Sequence, residues 1–378
     1  MRVDLRVPPC GSVAATVDFC VRAERAGFSG VGFVDSQLYL RDAYVVMSHV
    51  LQATQTLRVH PALTCPGPRH VSVIASAAKT VQELGPDRFE LWLGRGGSAS
   101  RAVGLPQLRV GEMREAITRL RALLAGEPCD FEPSEGIAEP GGERRPYFDE
   151  GFAPKMYLGG GPPVPIYLAV GGPLTGRLAG ELCDGVLLCA GPSEEDIGEA
   201  RRWVADGAAR AEREPRAIHE WYQMRCLVRD TREEAVRSWS PNLPAVLDSP
   251  RADEWLKKNH IDFELTDDLR EAVRAVHRAL RRLYPEEIHI LDWEAAVRIC
   301  QVIPYELQEA MADRMAVVGT PEEVRDRIRD LERLGCENLY LYPCWTFQYP
   351  EPELRAFEEV IGPSLGPRRY APWQTMAR

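Results

Sequence analysis

Strand-like and helix-like segments alternate almost without interruption along this chain, and that rhythm limits the folds open to it. RVDLRV (2–7) alternates polar and apolar residues as a strand does, and VAATVDFCVRAERA (13–26) places its apolar residues at helical spacing before Gly27, a helix stop. The pattern repeats: strands at 30–34, 57–64, 89–94, 166–170, 185–190, 221–228 and 338–343, with helices at 42–54, 69–84, 111–125, 174–182 and 193–212 between them. In GTPEEVRDRI (319–328), Thr320 reads as N-cap, Pro321 as first-turn residue and Glu323 as the partner in a capping box. About eight strand–helix units argue for a parallel sheet and fit a closed (β/α)8 barrel better than an open doubly wound sheet.

Two stretches break the rhythm. Residues 127–163 are rich in Pro, Gly and charge, a loop excursion of a length that is usually functional or mobile. Residues 238–316 are mostly helical, with DDLREAVRAVHRALRRLY and DWEAAVRICQVI amphipathic, and 238–310 read as a helical insertion before the last unit, over the barrel mouth, at an oligomer interface or as helical padding. Both are expected to control substrate access. The chain is read as one domain spanning 1–378.

Composition removes several classes. A net charge of −10 with no basic stripe argues against nucleic acid as a partner; Arg201-Arg202 and Arg281-Arg282 fall within helical patterns as solvated faces. No apolar run is long enough to span a bilayer, and the N-terminus lacks the apolar stretch of a signal peptide. The ten cysteines form no CxxC or zinc-spaced cluster. Cys20, Cys183 and Cys189 lie in apolar runs and are expected to be reduced core residues of a cytoplasmic protein without a bound metal.

In a barrel, chemistry gathers at the C-terminal ends of the strands. Here those ends are Asp35-Ser36-Gln37, Ala62-Leu63-Thr64-Cys65, Gly94-Arg95-Gly96-Gly97-Ser98, Val170-Gly171-Gly172-Pro173, Cys189-Ala190-Gly191 and Pro343-Cys344-Trp345. Two carry glycine pairs that open helices, suited to cradling an anion or carbonyl edge. A tight strand-to-helix turn would use the same glycines. There is no nucleophile motif: His60 reads as a core histidine, His70 as a structural residue or a ligand contact, and Glu24 and Asp42 as surface or capping charges. So few acids and bases beside glycine-lined strand ends point to a cofactor-borne reaction.

VGFVDSQLYLRDAYV, LTCPGPRHVSVIASAAKTVQELGPDRFELWLGRGGSASRAVGL, IYLAVGGPLTGRLAGELCDGVLL and VVGTPEEVRDRI, in this order, resemble the bacterial-luciferase-like flavin oxidoreductases. The match is best with the branch of deazaflavin-dependent methylene-tetrahydromethanopterin reductases, and it covers 1–235 and 311–362 but not 238–310. The resemblance implies a TIM barrel that binds coenzyme F420 at its mouth, Asp35 facing the ring and substrate, and a cis peptide at Ala62–Leu63 behind the ring. It implies Thr64 and Cys65 at the ring border, Gly94, Arg95, Gly96, Gly97, Ser98 and Ala99 around a phosphate or ring carbonyls, and Gly171, Gly172 and Pro173 at the cofactor tail. One departure stands out: Ser36 occupies the position after the aspartate where several relatives carry an acid/base histidine, so proton transfer falls to Asp35, Ser36, a substrate group or water. GRGGSA also lacks the acidic residue that some relatives place in that loop.

The implied activity is hydride transfer between the deazaflavin C5 and a C=C or C=N bond of a small organic substrate. The alternatives are an FMN-dependent monooxygenase using reduced flavin and oxygen, and a non-catalytic ligand-binding barrel. Relatives commonly pair through barrel helices, so a homodimer is expected.

Overall fold

The computed structural model describes residues 1–129, 131, 154–159, 161–283 and 292–365, with the backbone of a two-strand hairpin at Ile137–Ala138 and Arg144–Arg145. Most of the 127–163 excursion, and positions 284–291 of the expected insertion, lie outside the described residues.

Eight strands form the barrel: β1 (Arg2–Val7), β2 (Gly30–Phe33), β3 (Arg58–Pro61), β4 (Leu91–Leu93), β5 (Ile166–Val170), β6 (Gly185–Leu188), β7 (His219–Val228) and β9 (Asn338–Pro343). All pair in parallel, in the order β3-β2-β1-β9-β7-β6-β5-β4. Parallel bridges Val59–Phe89 and Thr64–Leu93 join the two ends of that row. The sheet is therefore a closed α/β barrel, as the rhythm of the sequence predicts, rather than an open doubly wound sheet. A ninth strand, β8 (Val317–Gly319), pairs with the upper end of β7 and was not anticipated. Its three residues, VVG, run straight into a helix cap and give periodicity nothing to detect.

The expected helix boundaries follow their local chemistry. Ser12 accepts a bond from the Ala15 N–H to open Val13–Ala26, and Gly27, at φ 99°, closes it in the left-handed conformation that glycine tolerates. Thr320 and Glu323 form the capping box at the start of Pro321–Arg333, with Pro321 in the first turn. Strands end sooner than expected: the segment 57–64 is strand only over Arg58–Pro61, and the cis Ala62–Leu63 bond follows directly.

The barrel interior is filled in layers. At its base Arg58 donates to both oxygens of Asp4, at 3.0 and 3.1 Å, and to Glu90 at 2.8 Å, while the Trp92 indole donates to the second Glu90 oxygen at 2.9 Å. Above it lie Trp92, Tyr167, Trp221 and Tyr340, with His60 stacked on Trp92 at 3.5 Å between ring centres. His60 is thus a core histidine. The helices outside the barrel bury their apolar faces against the strands.

Between β7 and β8 the chain forms helices Arg232–Trp239, Pro244–Leu247, Ala252–Lys258, Asp267–Leu280, Trp293–Cys300 and Tyr305–Met315. They pack around their own apolar centre, which includes Trp239, Leu256, Val276 and Met311 and meets the barrel at Leu227 and Trp345.

Arg58 forms ion pairs with two buried carboxylates, Asp4 and Glu90. Arg58→Met would leave Asp4 and Glu90 buried without it, a loss expected to cost about 3–5 kcal/mol. The urea denaturation midpoint, followed by tryptophan fluorescence, should fall accordingly; an unchanged midpoint would show that the base of the barrel does not rely on this pair.

Candidate active site

The C-terminal ends of the strands surround a cleft of about 650 Å³. Asp35, Ser36, Ala62, Leu63, Cys65, the run Gly94 to Ala99, Gly171, Gly172 and Pro173 all line it. Thr64, expected at the ring border, does not. Its backbone forms the upper bridge that closes the barrel, with its N–H on the Trp92 carbonyl at 3.1 Å and its own carbonyl accepting from Gly94 at 2.9 Å, and its hydroxyl turns to Asp35.

Asp35 is almost fully buried and closely held. One oxygen accepts from Arg69 Nε at 3.0 Å and from the Thr64 hydroxyl; the other accepts from Arg69 Nη2 at 3.0 Å. Arg69 also bonds Asp42, the N-cap of Ala43–Ala53, and its guanidinium lies over the Tyr44 ring. Burial works against the charge on Arg69, but its bonds to the two carboxylates outweigh it and hold the guanidinium protonated above its ordinary range. Three of the roughly four lone-pair positions of Asp35 are thereby engaged. The carboxylate works as the anchor of the β2 end.

Ser36, next along the chain, is buried at the cleft wall with its hydroxyl 3.2 Å from that of Ser98. Gln37 donates to the Ala99 carbonyl at 3.3 Å, a second tie between the β2 and β4 ends. Cys65 lies 3.6 Å from the Ser100 hydroxyl, and burial raises its thiol pKa, which disfavours the thiolate. His70 caps helix Val71–Leu84, its ring accepting from the Ser72 N–H, which is a structural role.

The glycines after β4 have separate reasons to be glycine. A Cβ on Gly94 would stand 2.8 Å from the Leu63 side chain. Gly96 has φ +84°, and a Cβ there would stand 2.2 Å from Ser100 Oγ. Gly97 meets nothing within 4 Å, and neither do Gly171 and Gly172 after β5. β4 and β5 are paired neighbours, so these open positions lie on adjacent walls of one cleft. A Cβ at any of them would occupy space that a ligand can use, so this part of the cleft fits a cofactor edge approaching the backbone. Arg95 stands beside them, its Nε on the Leu108 carbonyl at 2.6 Å and without a carboxylate partner among the described residues.

Several lining residues escaped the sequence reading: Gln107 after β4, Gln223 and Arg225 on β7, and Tyr340 and Tyr342 on β9. Residues two apart on a strand share a face, so WYQMRCLV sets Gln223 and Arg225 on one side and Tyr222, Met224 and Cys226 on the other, but only the assembled barrel shows that the first side faces the cleft. Cys189, expected in the core with Cys20 and Cys183, is exposed instead. β6 ends at Leu188, so the next side chain emerges at the mouth, 3.7 Å from the Gln223 amide oxygen.

No cluster of metal-ligating side chains occurs among the described residues, and no helix there is long and apolar enough to cross a membrane. Comparison with known proteins places this architecture. The chain is 25% identical over 337 residues to a 5,10-methylenetetrahydromethanopterin reductase from Methanolobus tindarius, covering 89% of this chain and 92% of that one. It is 29% identical to an F420-dependent glucose-6-phosphate dehydrogenase from Rhodococcus erythropolis, covering 94% and 93%. The solved coenzyme F420-dependent tetrahydromethanopterin reductase from Methanopyrus kandleri superposes with a TM-score of 0.71 at 18% identity, over 97% of this chain and 99% of that chain. A profile for the luciferase-like monooxygenases matches residues 2–338, and the chain belongs to that family.

Proposed function

We propose that this protein is an F420-dependent oxidoreductase acting on a C=C or C=N bond of a small organic substrate. The observation that carries the reading is the pair of adjacent glycine loops, Gly94–Ala99 and Gly171–Pro173, whose open positions face a cleft of cofactor size. Relatives aligned over most of the chain include an F420-dependent dehydrogenase, which favours F420 over FMN.

Coenzyme F420, when bound, supplies hydride chemistry at its deazaflavin ring; the residues of this chain bind, orient and shield. The backbone around Gly97 and Gly171-Gly172 would receive the polar edges of the cofactor, with Arg95 as cationic neighbour. Ala62 and Leu63, seated by the Ala62 N–H on the Phe33 carbonyl at 2.7 Å, would form the apolar wall behind the ring. The Arg69–Asp35 clamp fixes the β2 end, so that the Ser36 and Ser98 hydroxyls carry exchangeable protons in the cleft wall. They take the place of the histidine this chain lacks, as hydrogen-bond donors to a substrate heteroatom or as a path for a solvent-derived proton. Asp35 then acts through position rather than as acid or base.

The reading also makes this a cytoplasmic homodimer. Leu38, Val45 and Val73, each more than half exposed near the β2 and β3 ends, suit a self-associating face.

Titrating the purified chain separately with oxidised F420 and FMN, followed by absorbance and fluorescence, tests the cofactor. Saturable F420 binding with much weaker FMN binding is expected. The reverse would make the protein an FMN-dependent monooxygenase, and binding of neither would favour a non-catalytic barrel. Gly97→Val tests the cradle: F420 affinity should fall at least tenfold with the denaturation midpoint unchanged. Gly96→Val should instead lower that midpoint, because its positive φ and the contact with Ser100 leave no place for a side chain. Full F420 affinity in Gly97→Val would refute the cradle.

A further inference from the structure

A second cavity, about 350 Å³, adjoins the cleft and shares Gln223 and Arg225 with it. The helical segment between β7 and β8 forms its outer wall through Trp255, Lys258, Asn259 and Arg314. Its charges do not balance. Arg314 is committed, with Nη1 3.0 Å from Asp196 and Nε donating to Asn259 at 2.7 Å. That leaves the one carboxylate lining the cavity already paired. Arg225 donates to the Asn242 side-chain oxygen at 2.8 Å, a neutral partner, and has no carboxylate partner among the described residues. Lys258 has neither an ion-pair nor a hydrogen-bond partner among them.

Two uncompensated cations, one on a barrel strand and one on the inserted helices, therefore line one cavity that opens beside the reacting site. Arg225 is only partly exposed, and its half-desolvated guanidinium, with a planar fork of donors, suits a carboxylate or phosphate. Gln223 stands at the junction of the two cavities and adds a neutral amide.

We propose that this annexe is an anion subsite that holds the carboxylate or phosphate end of the substrate through Arg225 and Lys258. The reactive end of the same molecule extends past Gln223 into the cleft. The inference rests on the oxidoreductase reading above for the identity of the ligand as substrate, and it gives the inserted helices a role in substrate selection.

Inorganic phosphate is the probe, titrated calorimetrically into the full-length chain with and without saturating F420, against sodium chloride of matched ionic strength. The expected result is a saturable phosphate site that persists in the F420-loaded protein. Arg225→Gln and Lys258→Gln should each weaken it at least tenfold, while Lys257→Gln, an exposed cation on the same helix, leaves it unchanged. Lys258 is itself exposed, so Lys258→Gln retains the fold even if Arg225→Gln does not. Absence of saturable binding, or equal binding by Lys258→Gln and the parent, overturns the subsite. Phosphate binding confined to F420-free protein also overturns it, by assigning the anion site to the cofactor. A persistent phosphate site in a protein that binds no F420 would leave the anion subsite standing and refute the oxidoreductase reading alone.

Discussion

The barrel closes at a narrow seam between β3 and β4, through the bridges Val59–Phe89 and Thr64–Leu93. These join strands only a few residues long, yet they convert a row of parallel pairs into a ring without edges and point every strand end at one mouth. The upper bridge also sits between the two features most specific to the cleft. The cis Ala62–Leu63 bond precedes it on one strand, and the glycine loop from Gly94 follows it on the other. Thr64 is consumed by this seam, its backbone on Trp92 and Gly94 and its hydroxyl on Asp35. Fold closure and the shape of the site are thus the same set of contacts.

The seam explains the electrostatics above it. A carboxylate at the mouth of a parallel barrel needs a partner, because burial of an unpaired charge is costly. Asp35 obtains one from Arg69, which lies in the loop between the β3 end and helix Val71–Leu84, and Arg69 shares its charge with Asp42 at the cap of the preceding helix. The clamp spans the ends of β2 and β3 and holds Ser36 against Ser98. A chain without a histidine after its aspartate thus presents hydroxyls, not an ionisable base, to that part of the cleft. This suits a reaction whose electrons a cofactor carries and whose protein groups need only orient the partners.

Much of this was legible in sequence because barrel geometry maps strand ends onto one site. Once the alternation at 2–7, 30–34 and 57–64 is recognised, Asp35, Ala62 and Gly94 must converge, however far apart they lie in the chain. What stayed hidden depends on side-chain direction and long-range pairing. Arg69 lies 34 residues from Asp35, and nothing local marks it as that residue's partner. Gln223 and Arg225 share one face of their strand, but which face points into the cleft appears only with the ring assembled. β8 is too short to show a period, and Cys189 reads as core only until β6 is seen to stop one residue earlier.

The glycines of the β4 loop show why motif reading alone could not divide their roles. In sequence Gly94, Gly96 and Gly97 are equivalent elements of GRGG. In the fold, Gly94 makes room for Leu63 and Gly96 turns the chain against Ser100 and Cys65; both would be required even of a barrel that bound nothing. Gly97, like Gly171 and Gly172 on the neighbouring strand end, answers to no such packing demand. A Cβ at any of the three would meet nothing within 4 Å, so the absence of a side chain serves whatever enters the cleft. Two strand ends with glycines facing empty space, on adjacent walls and beside an arginine that forms no ion pair among the described residues, are better explained by a ligand that approaches the backbone than by the needs of folding.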